Sequence, residues 1–225
     1  ETAFDNCVYA RAEVTRLAKK GFELAMTRSK KLCCVDKANV LETSRLWRET
    51  VQAMEKDYPE VTVSYEFVDA VAMRLVQWPN SYDVLITENL FGDILTDEAS
   101  VISGSMGLMP SASLGKTVGL FEPIHGSYPQ ATGLNIANPM ATVLSAAMMF
   151  ENFGLQEEGQ AIRDAVNNAL ILAGIAAILT AMGVSWFVSQ RIINPIRSLV
   201  ELSQRIASGH YEQRLHLDTR DELGE

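Results

Sequence analysis

The sequence predicts an α/β domain, followed by one transmembrane helix and an amphipathic helix of the coiled-coil type. Three observations lead to this expectation. Short apolar runs alternate with stretches of helical periodicity up to about residue 168. Residues 169–189 then contain no charged side chain. Near the carboxyl end, apolar residues recur at steps of three, three and four, at Ile196, Leu199, Leu202 and Ile206.

The composition excludes several classes of protein. Of the 225 residues, 48% are apolar and 21% are charged, so the chain can bury a sizeable core and is not a disordered chain. The net charge of −9 argues against a nucleic-acid partner, which requires a basic face. Three cysteines, two of them adjacent, do not form a secreted disulfide framework and indicate a reducing compartment. Glu1 is followed by no basic-then-apolar leader, so we expect no signal peptide and a natural start further upstream.

The α/β part is built from elements that the apolar periodicity locates in order. Helices are predicted from Val14 to Ala25 and from Leu46 to Met54, and strands from Val61 to Val68 and from Asp83 to Thr87. Strands that alternate with helices favour parallel pairing through crossover helices. Glycine and proline in residues 104–115 and 123–139 predict a loop in each segment.

Residues 169–189 are predicted to cross a membrane. At a rise of about 1.5 Å per residue this length spans a hydrocarbon core. The alternative is a buried helix of a soluble protein, but apolar residues on all faces favour the span. Trp186 and Phe187 are followed by Arg191 and Arg197, whereas acidic residues precede the span. The positive-inside bias therefore predicts a single-pass protein with its carboxyl end in the cytoplasm.

The tail, residues 190–225, resembles the HAMP linker of membrane-bound sensor kinases and chemoreceptors. The resemblance rests on Asn194-Pro195-Ile196, one amphipathic helix with Gly209 as its expected cap, and Asp221-Glu222-Leu223-Gly224-Glu225 opening a second helix. In that family two such helices per subunit form a parallel four-helix bundle across a dimer. We therefore expect residues 190–225 to form half of a signal relay.

Three groups of residues in the α/β part are candidates for chemistry. Asp93 and Asp97 share one helix face if their segment is helical, and such carboxylates are either Mg²⁺ or Mn²⁺ ligands or solvated surface groups. Lys37 is either a base tuned by burial or a surface lysine paired with Asp36. His125 lies in a glycine- and proline-rich loop, which either binds an anionic cofactor through backbone N–H groups or is plain surface.

The order and the amino-acid sequences of six segments resemble those of the 3-isopropylmalate dehydrogenases of leucine biosynthesis, in the β-decarboxylating dehydrogenase family. The resemblance covers residues 1–168, the later half of such an enzyme, and implies a partial isopropylmalate/isocitrate dehydrogenase-like fold. Ser44-Arg45-Leu46-Trp47-Arg48 and Pro110-Ser111-Ala112-Ser113 favour this enzyme over isocitrate dehydrogenase. The matching segments are residues 35–48, 68–73, 87–98, 104–113, 121–127 and 135–139.

The resemblance implies a role for each matching residue. Tyr9 would be the acid that protonates the enolate carbon, and Lys37 would help to remove the substrate hydroxyl proton. Asn39 and Asp69 would bind the substrate, 3-isopropylmalate. The Mg²⁺ or Mn²⁺ ligands would be Asp69, Asp93 and Asp97.

The resemblance also implies a cofactor and a partner. NAD would be bound through its adenosine half by His125, Gly126, Ser127 and Asn138. Gln130 stands where many relatives carry an acidic residue that bonds the adenine ribose, and NAD is expected over NADP. Because the equivalents of Lys37 and Asp69 reach across a dimer interface in this family, a homodimer is expected.

The two parts imply different compartments. The resemblance to the dehydrogenase family implies that residues 1–168 are cytoplasmic. A single span with a cytoplasmic carboxyl end would instead place these residues on the other side of the membrane. We interpret the chain as a composite whose main part is a truncated enzyme, inactive as written because the family's substrate-binding arginines precede residue 1. The alternative is a membrane-bound signal-transduction protein that contains a HAMP linker.

Overall fold

The computed structural model describes residues 1–208, and its contacts divide the chain into two units, Glu1–Leu155 and Gln156–Glu225. The first unit is α/β, as the sequence predicts. Its helices are α1 (Arg11–Met26), α2 (Glu42–Met54), α3 (Val68–Gln77), α4 (Asn89–Ile102) and α5 (Met140–Asn152). Its strands are β1 (Lys31–Asp36), β2 (Thr62–Phe67), β3 (Val84–Ile86), β4 (Pro110–Leu114) and β5 (Gly119–Pro123).

Strand β1 forms the centre of a three-stranded parallel sheet of order β2-β1-β3. Leu32 is paired with Val63 on one side and with Val84 on the other. Helices α2 and α3 connect the strands, so the predicted parallel pairing and crossover helices are confirmed. The four predicted elements are confirmed as well, by α1, α2, β2 and β3.

Side chains of β1 alternate between the two faces of the sheet and fill two hydrophobic clusters. Leu32 and Cys34 pack with α1 and α2, in a cluster that includes Phe22, Val51 and Ile86. Cys33 and Val35 pack with residues of α3 and α4, namely Val71, Leu75 and Leu95. The central strand is therefore buried on both faces, as is usual for a parallel sheet.

Helix α1 lies very close to the sheet. A Cβ atom at Gly21 would come within 2.3 Å of Ile86 Cγ2, so only glycine fits at this position without a shift of the neighbouring side chain. The small residues Ala18 and Gly21 are buried at the contact, whereas Leu17 and Leu24 are exposed. The apolar spacing located the helix but not its buried face.

The predicted loop over residues 104–115 is wrong in part. Strand β4 occupies its second half and pairs antiparallel with β5, with Ser111 opposite Glu122. The turn between them is closed by a hydrogen bond from Gly115 N to Val118 O, at 2.8 Å. After β5, which includes Pro123, the chain forms no helix or strand other than one 3₁₀ turn until α5 begins, so the loop predicted for residues 123–139 is confirmed except at Pro123.

The second unit is helical throughout its described residues. Helix α6 (Gln156–Val188) is followed by a π-helix (Ser189–Ile193) and by α7 (Asn194–Ala207). Of the described residues, one helical segment, Gln156–Arg205, is long enough and contains an 18-residue stretch apolar enough to cross a membrane; the mean hydropathy of that stretch is 2.1. Helix α6 continues through the predicted domain boundary at residue 168, which stays a prediction. Gly209 and the motif at residues 221–225 lie outside the described residues.

The burial of the thiols leads to a test of the first unit. Burial raises the pKa of Cys33 to about 11 and also raises the pKa of Cys34, whereas Cys7 is exposed. Because the thiolate is the reactive form, we expect N-ethylmaleimide to modify Cys7 alone in the native chain. Mass spectrometry of the full chain in detergent should show one adduct, and three after denaturation. Rapid native modification of Cys33 or Cys34 would contradict this packing.

Candidate active site

Tyr9 is anchored at the amino terminus of α4. Its hydroxyl donates to Glu88 Oε2 at 2.8 Å and accepts from the backbone N–H of Asn89 at 3.2 Å. Its ring stands edge-on to Trp47, with 5.7 Å between the ring centroids. Burial, more than any other factor, raises the pKa of Tyr9 above its usual value. The phenol is therefore a neutral donor near pH 7.

Glu88 forms the amino-terminal cap of α4. Its carboxylate accepts from the backbone N–H groups of Leu90 and Phe91, each at 3.1 Å, and the residue is only 8% exposed. An acidic side chain is favoured at this position because it satisfies free N–H groups and faces the positive end of the helix dipole.

A cleft of about 690 Å³ opens beside this cap. Within it, Trp47 Nε1 and Thr87 Oγ1 are buried and have no hydrogen-bond partner among the described residues. The charged lining residues are three acids, Glu13, Glu88 and Asp93, and one base, Arg16, so the cleft suits a cation. The other lining residues are Val8, Tyr9, Leu17, Asn89, Gly92, Ser111 and Ser113.

Asp93 and Asp97 lie on α4, and both are exposed. Their spacing of four places them one turn apart on one helix face, as predicted for a helical segment. Only Asp93 lines the cleft. Within residues 1–208, no group of three or more His, Cys, Asp or Glu side chains is placed to hold one metal ion. One chain therefore brings two of the three predicted ligands together, and Asp69 is separate from them.

Lys37 forms an ion pair with Asp69, the second residue of α3. The Lys37 ammonium also lies 5.7 Å from the centroid of the Phe67 ring. The hydrogen bond from Lys37 lowers the pKa of the Asp69 carboxyl. The expected alternative, a pair between Lys37 and Asp36, is not what forms. Neither Lys37 nor Asp69 lines the cleft that contains Tyr9.

Asp36 is instead bound by Arg48, which sequence reasoning missed. Arg48 Nε donates to Asp36 Oδ2 at 2.8 Å and Arg48 Nη2 donates to Oδ1 at 3.0 Å. Asp36 Oδ1 also accepts from the N–H of Ala38 at 2.9 Å, which holds the turn that carries Lys37 and the exposed Asn39. The sequence did contain a signal for this pair, namely an acidic residue, Asp36, at the end of an apolar strand. A charge buried at such a position requires a partner of opposite charge. Glu88, the residue before α4, was missed in the same way.

The residues predicted to bind NAD all belong to the segment between β5 and α5. His125 is half-buried, with Nδ1 at 3.1 Å from the Gly126 carbonyl oxygen, and Gly126, Ser127 and Gln130 are exposed. Asn138 Oδ1 accepts from Met140 N at 3.0 Å, at the start of α5. Open backbone and side-chain amides of this kind can bind an anionic or ribose-containing ligand.

Comparison with known proteins identifies both parts of the chain. The family model for isocitrate/isopropylmalate dehydrogenase matches residues 1–180. The chain belongs to this family. A HAMP domain model matches residues 187–225. The two resemblances seen in the sequence are therefore confirmed, and the first part is a 3-isopropylmalate dehydrogenase-like domain.

Curated relatives of the family are similar over about 170 residues. The 3-isopropylmalate dehydrogenase of Bacteroides fragilis is 59% identical over 76% of this chain and 48% of its own length. That of Desulfitobacterium hafniense is 54% identical over 75% of this chain and 48% of its own. The chain thus spans about half the length of the curated relatives it matches.

Solved structures of the family share the fold. Isocitrate dehydrogenase from Methylococcus capsulatus is 38% identical, with a TM-score of 0.68 over 71% of this chain and 48% of its own. An apo β-decarboxylating dehydrogenase from Thermococcus kodakarensis is also 38% identical, with a TM-score of 0.67 over 73% of this chain and 48% of its own.

Close packing at Gly107 leads to a test of the segment that carries Asn138. A Cβ atom at Gly107 would lie 2.6 Å from Asn138 Cβ. We expect Gly107→Ala to destabilise the first unit by about 1–3 kcal/mol, the usual cost of overpacking. Thermal unfolding of the full chain in detergent measures the loss. Gly126→Ala is the matched control, because its Cβ would meet no atom within 4 Å. Equal midpoints for the two variants would contradict this contact.

Proposed function

We propose that residues 1–168 form part of a two-subunit active site for the metal- and NAD-dependent oxidation and decarboxylation of 3-isopropylmalate. The observation that carries the proposal is the cleft in which Tyr9 and Asp93 meet at the amino terminus of α4. Its support from outside the chain is the identity of 54–59% to proteins named 3-isopropylmalate dehydrogenase.

The site requires a second copy of the chain. Lys37 and Asp69 form a pair away from the Tyr9 cleft, so one subunit would supply Tyr9, Asp93 and Asp97, and its partner would supply Lys37, Asn39 and Asp69. Apolar side chains exposed on α3 and α4 support a homodimer, because a second subunit would bury them. These residues are Met73, Val76, Leu90, Ile94 and Val101.

A divalent cation suits the donor set. Asp93 and Asp97 offer carboxylate oxygens on one helix face, and Asp69 of the second copy would complete the set for Mg²⁺ or Mn²⁺. When bound, the ion would polarise the substrate hydroxyl. Lys37 would take the proton of that hydroxyl, and Tyr9 would give a proton to the carbon that loses CO₂.

The cofactor is proposed to be NAD, which accepts the hydride when bound. His125, Gly126, Ser127 and Asn138 would contact its adenosine half. Gln130 would hydrogen-bond the adenine ribose, but it lacks the negative charge that repels a 2′-phosphate. The expected preference for NAD over NADP is therefore smaller than it would be with an acidic residue at this position.

The metal proposal is tested with a hybrid enzyme, in which the part of the Bacteroides fragilis enzyme outside the matched region completes residues 1–168. We expect the hybrid to reduce NAD⁺ with 3-isopropylmalate at about 1–1000 per second, and the 225-residue polypeptide alone to form no NADH. Asp93→Asn should cut turnover by orders of magnitude and raise the Mn²⁺ concentration needed.

Two results would speak against the metal assignment. The first is unchanged Mn²⁺ activation in the Asp93→Asn hybrid. The second is an equal loss in the control variant Asp57→Asn, which removes an exposed acid outside the cleft. An inactive but folded hybrid would count against the proposed reaction itself.

A second candidate function, membrane-bound signal transduction, is favoured by the HAMP match and by the apolar segment of α6. We propose that this segment crosses the membrane once, with its carboxyl end in the cytoplasm. Arg191 and Arg197 follow it, and the Arg191 guanidinium lies 6.0 Å from the Phe187 ring centroid. Such an aromatic and basic border is typical of a cytoplasmic interface.

Insertion of the segment is tested at Ile178, which is exposed near its centre. Ile178→Arg should reduce insertion by about 2.5–3.5 kcal/mol on the translocon scale, whereas Ile178→Leu should insert normally. The measurement is the membrane-bound fraction of a reporter fused after Glu225. A soluble reporter with the unaltered segment would refute the span.

A further inference from the structure

The single proton of the Tyr9 hydroxyl has one defined acceptor. The O–H group donates to Glu88 Oε2 at 2.8 Å, and the oxygen accepts from Asn89 N–H at 3.2 Å. Both partners belong to the start of α4, 79 and 80 residues away along the chain. Tyr9 itself precedes α1, in residues 1–10 that form no helix or strand. These hydrogen bonds therefore tie an irregular segment to a fixed helix end.

Glu88 is built as a rigid acceptor. Its two oxygens accept from the N–H groups of Leu90 and Phe91, and Oε2 is shared with the Tyr9 hydroxyl. The residue is buried at the amino-terminal end of α4, where these hydrogen bonds fix the orientation of its side chain. The distance of 2.8 Å between the Tyr9 hydroxyl and Glu88 Oε2 is that of a well-formed O–H···O hydrogen bond.

We propose that Glu88 is the positioning residue for Tyr9, holding the phenolic proton at rest and keeping the oxygen on the wall of the cleft that contains Asp93. This inference deepens the proposed function and rests on the role of Tyr9 as the acid. When the proton is used, the O–H bond rotates away from Glu88 and breaks, and the proton joins the electron pair on the acceptor carbon. The phenolate keeps the hydrogen bond from Asn89 N–H and is reprotonated through solvent by the proton that Lys37 takes from the substrate hydroxyl and releases, so that the protons balance.

The hydrogen bond is observable in the full chain at neutral pH. In a Raman spectrum the tyrosine ring gives a Fermi doublet of two bands. The intensity ratio of these bands differs between a phenol that donates a hydrogen bond and one that accepts it. The difference between the unaltered chain and Tyr9→Phe, in detergent, isolates Tyr9. In the unaltered chain we expect the intermediate intensities of a phenol that both donates to Glu88 and accepts from Asn89. An accepting pattern would overturn the inference, and this measurement depends on no variant of Glu88.

Two variants separate positioning from capping. In Glu88→Gln, the amide oxygen that bonds Leu90 N–H also faces Tyr9, as Oε2 does in the unaltered chain, so the phenol should donate to a neutral acceptor and its donor pattern should weaken. In Glu88→Asn, a good cap remains but the side chain is too short to reach the phenol, so the donor pattern should be lost. A donor pattern that survives in both variants would overturn the inference.

The chain contains matched controls. Tyr82 donates to Glu66 at 2.9 Å, and Tyr65 donates to Glu55 at 2.5 Å. Glu66→Gln and Glu55→Gln change those pairs, so the Tyr9 difference signal should stay the same. A change in the Tyr9 signal in either control would show that the readout is not specific to Glu88, and would count against the inference.

Turnover of the hybrid enzyme separates this inference from the proposed function. We expect Glu88→Gln to lower kcat by up to about 100-fold, as for a misplaced general acid, with KM little changed. A rise in KM alone would overturn the positioning role. If Tyr9→Phe keeps full turnover while the Raman donor pattern stands, the assignment of Tyr9 as the acid fails and the hydrogen bond to Glu88 remains.

Discussion

The buried ion pair between Asp36 and Arg48 stands where the central strand ends and the candidate site begins. Asp36 is 1% exposed, and the Arg48 guanidinium binds both of its oxygens. The guanidinium also lies over the rings of Tyr65 and Phe67, at 5.6 and 5.1 Å from their centroids. Loss of Arg48 would leave the buried Asp36 charge without its ion-pair partner, at a cost of about 3–5 kcal/mol. The pair therefore connects α2, β1 and β2 in one arrangement.

The parallel sheet places the candidate residues at one edge. Lys37 follows β1, Asp69 follows β2, and Glu88 and Asp93 follow β3. Because the three strands are parallel, their carboxyl ends lie at the same edge, where open α/β sheets bind their ligands. The pair of Asp36 and Arg48 lies at that edge. Asp36 Oδ1 accepts a hydrogen bond from Ala38 N–H, and this bond turns the chain out of the sheet at Lys37.

The spacing of residues along the sequence predicted those structural features that depend only on residues close together in the chain. The helical period located α1 and α2, and the spacing of four placed Asp93 and Asp97 on one face of α4. The partnership of Lys37 with Asp69 depends on the pairing of β1 with β2, and that of Tyr9 with Glu88 joins residues 79 apart. Neither of these longer contacts leaves a trace in the spacing of nearby residues. Strand β4, Pro-Ser-Ala-Ser-Leu, alternates apolar and polar residues, but it has no β-branched or aromatic side chain, so its composition did not indicate a strand and its conformation follows from pairing with β5.

The two parts of the chain differ in which compartment they favour, and the thiols do not decide between them. Cys33 and Cys34 are buried, and burial raises the pKa of both, so neither offers a reactive thiolate to an oxidant. Residues 169–187 are exposed on every side of α6, and a helix apolar all round requires an apolar surrounding. In the proposed span, the charge difference between the two ends of this helix would set its orientation, and with it the compartment of the dehydrogenase-like domain.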